Sequence, residues 1–196
     1  MVKYPTMDLI IIADSLDSSQ PLISAAVKAG HHVLRHIGPD ETASDHVRSM
    51  CPHAVIFISD EIDHTVLREM RAVSSNRPTP ILVFTRDDSE ASIDASVKAG
   101  ASAYIVDCHD PGRVNSLLRV SVTRFNEQQR LASELLQARI ALQDRKVVER
   151  AKGLIMQQKR ISEDQAYRAM RKLAMDRNKR MGEIAEQILA ASEVLV

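Results

Sequence analysis

Of the basic side chains that crowd the end of the chain, nine are candidates to meet a ligand: Lys146, Arg150, Lys152, Arg168, Arg171, Lys172, Arg177, Lys179 and Arg180. Guanidinium and ammonium groups at this density can neutralise phosphates, and they are the electrostatic footprint expected of a nucleic-acid-binding surface. The whole-chain balance of 26 Lys/Arg against 26 Asp/Glu conceals them. From residue 143 onward the formal charge is +4, and before it −4. Charge alone also fits a solvated face on a small helical bundle. Tyr167 is the one aromatic residue in this stretch, so bases would be read by polar and Arg contacts.

Other chemistry finds little support. His31, His32 and His36 lie close in sequence, yet no Cys or carboxylate pattern completes a metal site. Cys51 and Cys108 are isolated, without CxxC spacing, and read as reduced, buried small hydrophobes. There is no Gly-rich phosphate loop, no Ser/His/Asp or Cys/His arrangement, and no pair of acids at a strand end. The composition therefore speaks against an enzyme, and no cofactor or metal is expected. With no apolar run of membrane-span length and no signal-peptide layout at the N-terminus, a cytoplasmic chain is expected.

The cations need elements to hold them. Val147, Ala151, Leu154, Ile155 and Gln158 recur at helical spacing, leaving Lys146, Arg150 and Lys152 off the apolar stripe. Ser162 with Gln165 three residues on predicts a capping box and a new helix, whose stripe is Ala166, Met170, Leu173 and Ala174. Asn178 suits a left-handed stop, and a third helix buries Met181, Ile184, Ala185 and Ile188. Upstream, the turn Asp110-Pro111-Gly112 is followed by no Pro or Gly until Gly153. That predicts one long helix, on the order of 60 Å at 1.5 Å per residue. Leu117, Leu118 and Phe125 should pack on the preceding domain. Leu131, Leu135, Ala138 and Leu142 step by four, three and four, a heptad seam suited to a coiled-coil dimer. A close helix–helix approach would explain Gly153.

Residues 7–106 alternate short apolar runs with helical segments. Strands are expected at Leu9–Ile12, His32–Ile37, Ala54–Ile58, Pro80–Thr85 and Ala103–Val106. Helices are expected at Pro21–Ala29, Asp40–Met50, Asp63–Val73 and Ser89–Ala99, two of them stopped by Gly30 and Gly100. Continuous apolar strands between helices mean a parallel sheet covered on both faces. The fold class is α/β, a flavodoxin-like (βα)5 domain, whose functional crevice lies at the carboxyl ends of the strands. The expected division is 1–111 for this domain, 112–144 for the coiled-coil linker, and 145–196 for the helical head.

Two resemblances sharpen this reading. Glu149-Arg-Ala-Lys-Gly-Leu-Ile-Met156, Ser162-Glu-Asp-Gln-Ala-Tyr-Arg168, Leu173-Ala-Met-Asp-Arg-Asn178, Ile184-Ala185 and Ile188 together closely resemble the ANTAR domain, the RNA-binding antitermination module of bacterial AmiR- and NasT-type regulators. The N-terminal segment resembles a response-regulator receiver. A receiver has two acids after its first strand, where this chain has Ala13 and Asp14, and a phosphate-accepting Asp at the end of its third, where this chain has Ile58. Thr85 matches the fourth-strand Thr/Ser, but Asp107 replaces the fifth-strand Lys. Isoleucine cannot act as nucleophile, and a lone carboxylate is a poor seat for Mg²⁺. Asp60, two positions late, would still lack the Lys counter-charge.

The resemblances thus imply a pseudo-receiver and a transcription antitermination regulator. Such a regulator binds a leader messenger RNA with paired hairpins, as a homodimer on the RNA. The segment Met170 to Asn178 looks nearer NasT, implying nitrate or nitrite assimilation genes, with a NasS-like or AmiC-like ligand-sensing protein as partner. A phosphorylation-controlled two-component regulator and a dimeric docking adaptor without nucleic acid remain the alternatives.

Overall fold

A computed structural model describes residues 6–38, 42–107 and 113–193. The chain divides into two compact units, Met1–Gln128 and Gln129–Val196.

The first unit holds β1 (Asp8–Ala13), α1 (Leu16–Lys28), β2 (His32–Ile37), α2 (Ala43–Met50), β3 (Ala54–Ile58), α3 (His64–Asn76), β4 (Ile81–Thr85), α4 (Glu90–Lys98), β5 (Ala103–Val106) and the start of α5 (Val114–Lys159). All strand pairings are parallel, in the order β2-β1-β3-β4-β5. This is the flavodoxin-like order expected of the alternating pattern. Successive residues point to opposite faces, so the apolar runs feed two cores. Ile10, Val55, Phe57, Ile81 and Val83 meet Val47, Met70 and Val73 on one side. Leu9, Ile11, Ile56, Leu82 and Phe84 meet Ala26, Val114 and Leu118 on the other. Leu118 is fully buried, and truncation of such a side chain to Ala costs about 2–5 kcal/mol.

Local signals explain most boundaries. Asp63 caps α3, accepting hydrogen bonds from the Thr65 and Val66 amides, and Ser89 caps α4 through the Ser92 amide. Gly30 and Gly100 take the left-handed conformations (φ 89° and 106°) that stop the preceding helices.

Several expectations need correction. Helix α1 starts at Leu16, ahead of Pro21. The added turn is held by Ser19, fully buried and 3.1 Å from His36 Nε2, while Pro21, lacking an N–H, withholds one helical hydrogen bond. Cys51 is exposed, not buried. It follows α2 at φ 50°, and its thiol donates to the Arg48 carbonyl at 3.5 Å. Leu117 and Leu118 pack on the sheet as expected, joined by Val114 and Val122, whereas Phe125 lies outside that cluster. Cys108, the turn Asp110-Pro111-Gly112 and the expected α2 start at Asp40 fall outside the described residues.

In the second unit α5 continues to Lys159, without interruption at Gly153, and is followed by α6 (Glu163–Asp176) and α7 (Met181–Glu193). Val147, Ala151, Met170 and Ala185 form the centre of a small core, flanked by Val148, Ile155, Met181, Ile188 and Leu189. Arg160 and Asn178, both at φ 50°, make the two turns. The Ser162–Gln165 capping box is complete in both directions. The close-approach glycine is Gly182, not Gly153. A Cβ on Gly182 would collide with the Asp144 carboxylate, while one on Gly153 would meet open space. Among the described residues no helix is long and apolar enough to cross a membrane.

Candidate nucleic-acid interface

The crevice at the carboxyl ends of the strands is where a receiver would do its chemistry, and here its polar groups bond to one another. Asp14 follows β1, and its carboxylate accepts the Ser59 hydroxyl. Ile58 ends β3, and its side chain packs against the cluster containing Phe84 and Leu118. Thr85 Oγ1 donates to the Asp60 carbonyl at 3.1 Å and accepts the Asp87 amide at 3.1 Å. Asp107 stands just past β5 at φ 48°, its amide donating to the Thr85 carbonyl.

Beside these groups lies an open groove of about 560 Å³, lined by Asp60, Glu61, Ile62, Asp63, Arg86 and Asp87. Its carboxylates are mostly engaged. Asp60 faces Arg86 at 3.5 Å. Asp63 is held below the usual carboxylate range, chiefly by the Val66 amide. Asp87 is lowered likewise, by hydrogen bonds from Ser92 and then Ser89. The three histidines read as near neighbours point to separate partners: His31 to the Met7 amide and Asn115, His32 to Asp8, and His36 to Ser19. Among the described residues no group of His, Cys, Asp and Glu could hold a metal ion.

The helical head is the opposite case. Lys146 and Arg150, one turn apart, are exposed on α5. Arg168, Arg171 and Lys172 run along the solvent side of α6, and Arg177, Lys179 and Arg180 fill the turn before α7. Some of these are partly engaged. Arg168 meets Asp164 at 2.9 Å, Arg180 meets Glu183 at 3.7 Å, and Arg177 donates to the Gln187 amide oxygen at 3.5 Å. Lys146, Arg150, Arg171, Lys172 and Lys179 form no ion pair among the described residues.

Lys152 is different. Instead of lying off the packed surface it is only 8% exposed. Its ammonium sits 2.8 Å from Glu149 and 2.7 Å from Glu163. These carboxylates hold the Lys152 pKa above its ordinary value, Glu149 contributing most, and Lys152 in turn holds Glu163 below its own. The ammonium ties the end of α5 to the first turn of α6. The Glu149–Lys152 spacing is visible in the sequence, but the closure on Glu163 needs the turn at Arg160.

Upstream on α5, Leu131, Leu135, Ala138 and Leu142 are all exposed, Leu135 by 54%. Leu136 and Ile140, which the heptad count passes over, are exposed as well. Off the stripe of α6, Met175 is 72% exposed, a position the helical periodicity already excluded from the core.

Comparison with known proteins bears on both units. The ANTAR domain family matches residues 136–189. The transcriptional regulatory protein PdtaR of Mycobacterium tuberculosis is 32% identical over 160 residues, spanning 82% of this chain and 78% of that one. A nitrate regulatory protein of Klebsiella oxytoca is 44% identical over 73 residues, which are 37% of this chain but 18% of that protein. Solved structures supply the fold of the first unit. The NarL signal receiver domain from M. tuberculosis aligns with TM-score 0.53 at 14% identity, covering 60% of this chain and 98% of that one. The chemotaxis regulator CheY4 of Vibrio cholerae aligns with TM-score 0.52 at 20% identity, covering 60% and 99%. The family match spans the helices that carry the unpaired cations, and the PdtaR alignment covers more than two thirds of each chain; the chain belongs to the family of ANTAR-domain transcriptional regulators, with a receiver-like domain ahead of the ANTAR domain.

Proposed function

We propose that this regulator acts by transcription antitermination, its head of α5, α6 and α7 gripping a leader RNA that carries paired hairpins. The observation that carries the reading is the set of five exposed cations, Lys146, Arg150, Arg171, Lys172 and Lys179, without carboxylate partners in an ANTAR domain. A cation with no partner of its own is free to neutralise a phosphate and release its counterion. Control of nitrate or nitrite assimilation genes is supported by the 44% identity to a nitrate regulatory protein.

Regulation in this reading is by sequestration. The strand-end crevice offers Ile58 where a phosphoacceptor would stand, and the carboxylate after β1, Asp14, is already bonded to Ser59. A ligand-sensing protein, NasS-like or AmiC-like, would instead cover the cytoplasmic regulator until its inducer binds. The stripe Leu131, Leu135, Ala138 and Leu142 would zip two copies together, so that two linked hairpins engage two heads at high effective concentration.

The test is retention of RNA by the full chain. From a pool of tandem hairpins with randomised loops, the wild type should select binders, and Arg171→Gln/Lys172→Gln should bind them on the order of tenfold more weakly with unchanged circular dichroism. Equal binding by wild type and variant would reduce the patch to a solvated face.

A further inference from the structure

Three places outside the phosphate-neutralising patch gather charge or exposed apolar surface. In the acidic groove beside β3 and β4, Asp60 faces Arg86, Asp63 caps α3, and Asp87 accepts hydrogen bonds from Ser92 and Ser89. The Asp8–His32–His53 cluster is bonded within itself. The outer face of α6 carries more.

Among the described residues beyond Leu142, the large hydrophobics left exposed are Tyr167 and Met175, at 44% and 72%. Both lie on α6, and Arg171 falls midway between them. The spacing i, i+4, i+8 places all three in one row along the helix. Each member follows directly on a residue that α6 buries, Ala166, Met170 and Ala174, so the row flanks the packed face, about 100° round the helix from it. A single exposed apolar side chain needs no explanation. A tyrosine and a methionine flanking an arginine, on a helix that also exposes Arg168 and Lys172, form a mixed surface with a definite chemistry. The acids at the start of α6 do not spoil it, because Glu163 is taken by Lys152 and Asp164 by Arg168.

We propose that this row is a base-reading platform, on which an unpaired loop base of the RNA hairpin stacks against the Tyr167 ring and is flanked by the Met175 thioether, while Arg171 holds the adjoining phosphate. The inference rests on the RNA-binding reading and adds to it. The patch supplies affinity for any phosphate backbone, and Tyr167, the head's one aromatic, distinguishes a loop with bases from a duplex end. Every base has a π-face, so stacking is strong and tolerant of sequence, on the order of tenfold or more in affinity per base. The charge around the row selects RNA over an apolar protein segment, which would bury Arg171 and Lys172 without a counter-charge.

The experiment uses the full chain with two probes. One is a pool of hairpins sharing a single stem with fully randomised loops; the other is the same stem closed by an abasic loop. The wild type should prefer the base-bearing loops by about tenfold. Tyr167→Leu should lose that preference while binding the abasic hairpin as the wild type does, and Tyr167→Phe should keep it. The chain has 3 tyrosines and no tryptophan, so stacking should also quench tyrosine emission, and Tyr167→Phe should abolish the quench. If Tyr167→Leu retains the loop preference, the platform is wrong and the row becomes a protein-docking face. If neither probe binds any form of the chain, the RNA-binding reading fails as well, which is a different result.

Discussion

The strand-end crevice and the helical head are both rich in charge, but they spend it differently. In the crevice four acids have partners inside the same fold: Asp14 has Ser59, Asp60 has Arg86, and Asp63 and Asp87 have helix-end amides and hydroxyls. In the head, Arg171, Lys172, Lys179, Lys146 and Arg150 have no ion-pair partner among the described residues, and Tyr167 and Met175 are left exposed beside three of the helix's cations. Charges satisfied internally fix a shape; charges left over are available to a ligand. In the proposed reading the crevice is scaffold and the head is the working surface. Lys152 shows that the distinction runs residue by residue, since it is a cation of the head that belongs to the scaffold.

The largest effect should come from the α5 seam, which lies in neither region. Leu135→Asp/Leu142→Asp places charge where the proposed dimer would bury apolar surface. Sedimentation should show loss of self-association, and gel shift should show a tandem hairpin bound at least tenfold more weakly while a single hairpin binds as before. Undiminished tandem binding by a monomeric variant would uncouple the seam from RNA.

A smaller effect, on stability rather than binding, should follow Lys152→Met. The variant should melt below the wild type, with the salt dependence of its RNA binding unaltered, because Lys152 is a strut. The pH dependence has a defined sign. Glu163 is held below its ordinary pKa, so its contribution is present above roughly pH 4 and lost as pH falls through the lowered value. Lys152 is held above its ordinary value, so its contribution is present below roughly pH 10 and lost as pH rises through the raised one. The melting gap between wild type and variant should therefore be widest near neutrality and close at acid and strongly alkaline pH. A gap independent of pH would mean the ion pairs are not its source.

The smallest effect should be none at all. Incubation with acetyl phosphate and Mg²⁺ should leave the intact mass unchanged, since Ile58 offers no nucleophile. A stoichiometric adduct on Asp14 or Asp60 would return the crevice to the working side of the comparison.

Much of this division was legible from the chain. Apolar runs such as Leu9–Ile12 and Ala54–Ile58, the stops Gly30 and Gly100, and the Ser162/Gln165 box specify local structure through short-range physics, and each appears where expected. Two of the failures share a cause, which is contact between residues distant in sequence, and the third is local. Lys152 looked like a surface cation because its second carboxylate arrives from a different helix. Gly153 looked like the close-approach residue, but Gly182 faces Asp144 from 38 positions away in the chain. Cys51 looked apolar enough for the core until its left-handed position after α2 turned it to solvent.

The most direct test of the account is the salt dependence of hairpin RNA binding by the full wild-type chain. Each neutralised phosphate releases counterions, at a slope of about −0.7 to −0.9 per contact. With Lys146, Arg150, Arg171, Lys172 and Lys179 each holding one phosphate, log affinity should fall linearly with log salt at a slope of roughly −3 to −5. A slope near zero would contradict the account, because it would mean that these cations hold no phosphate.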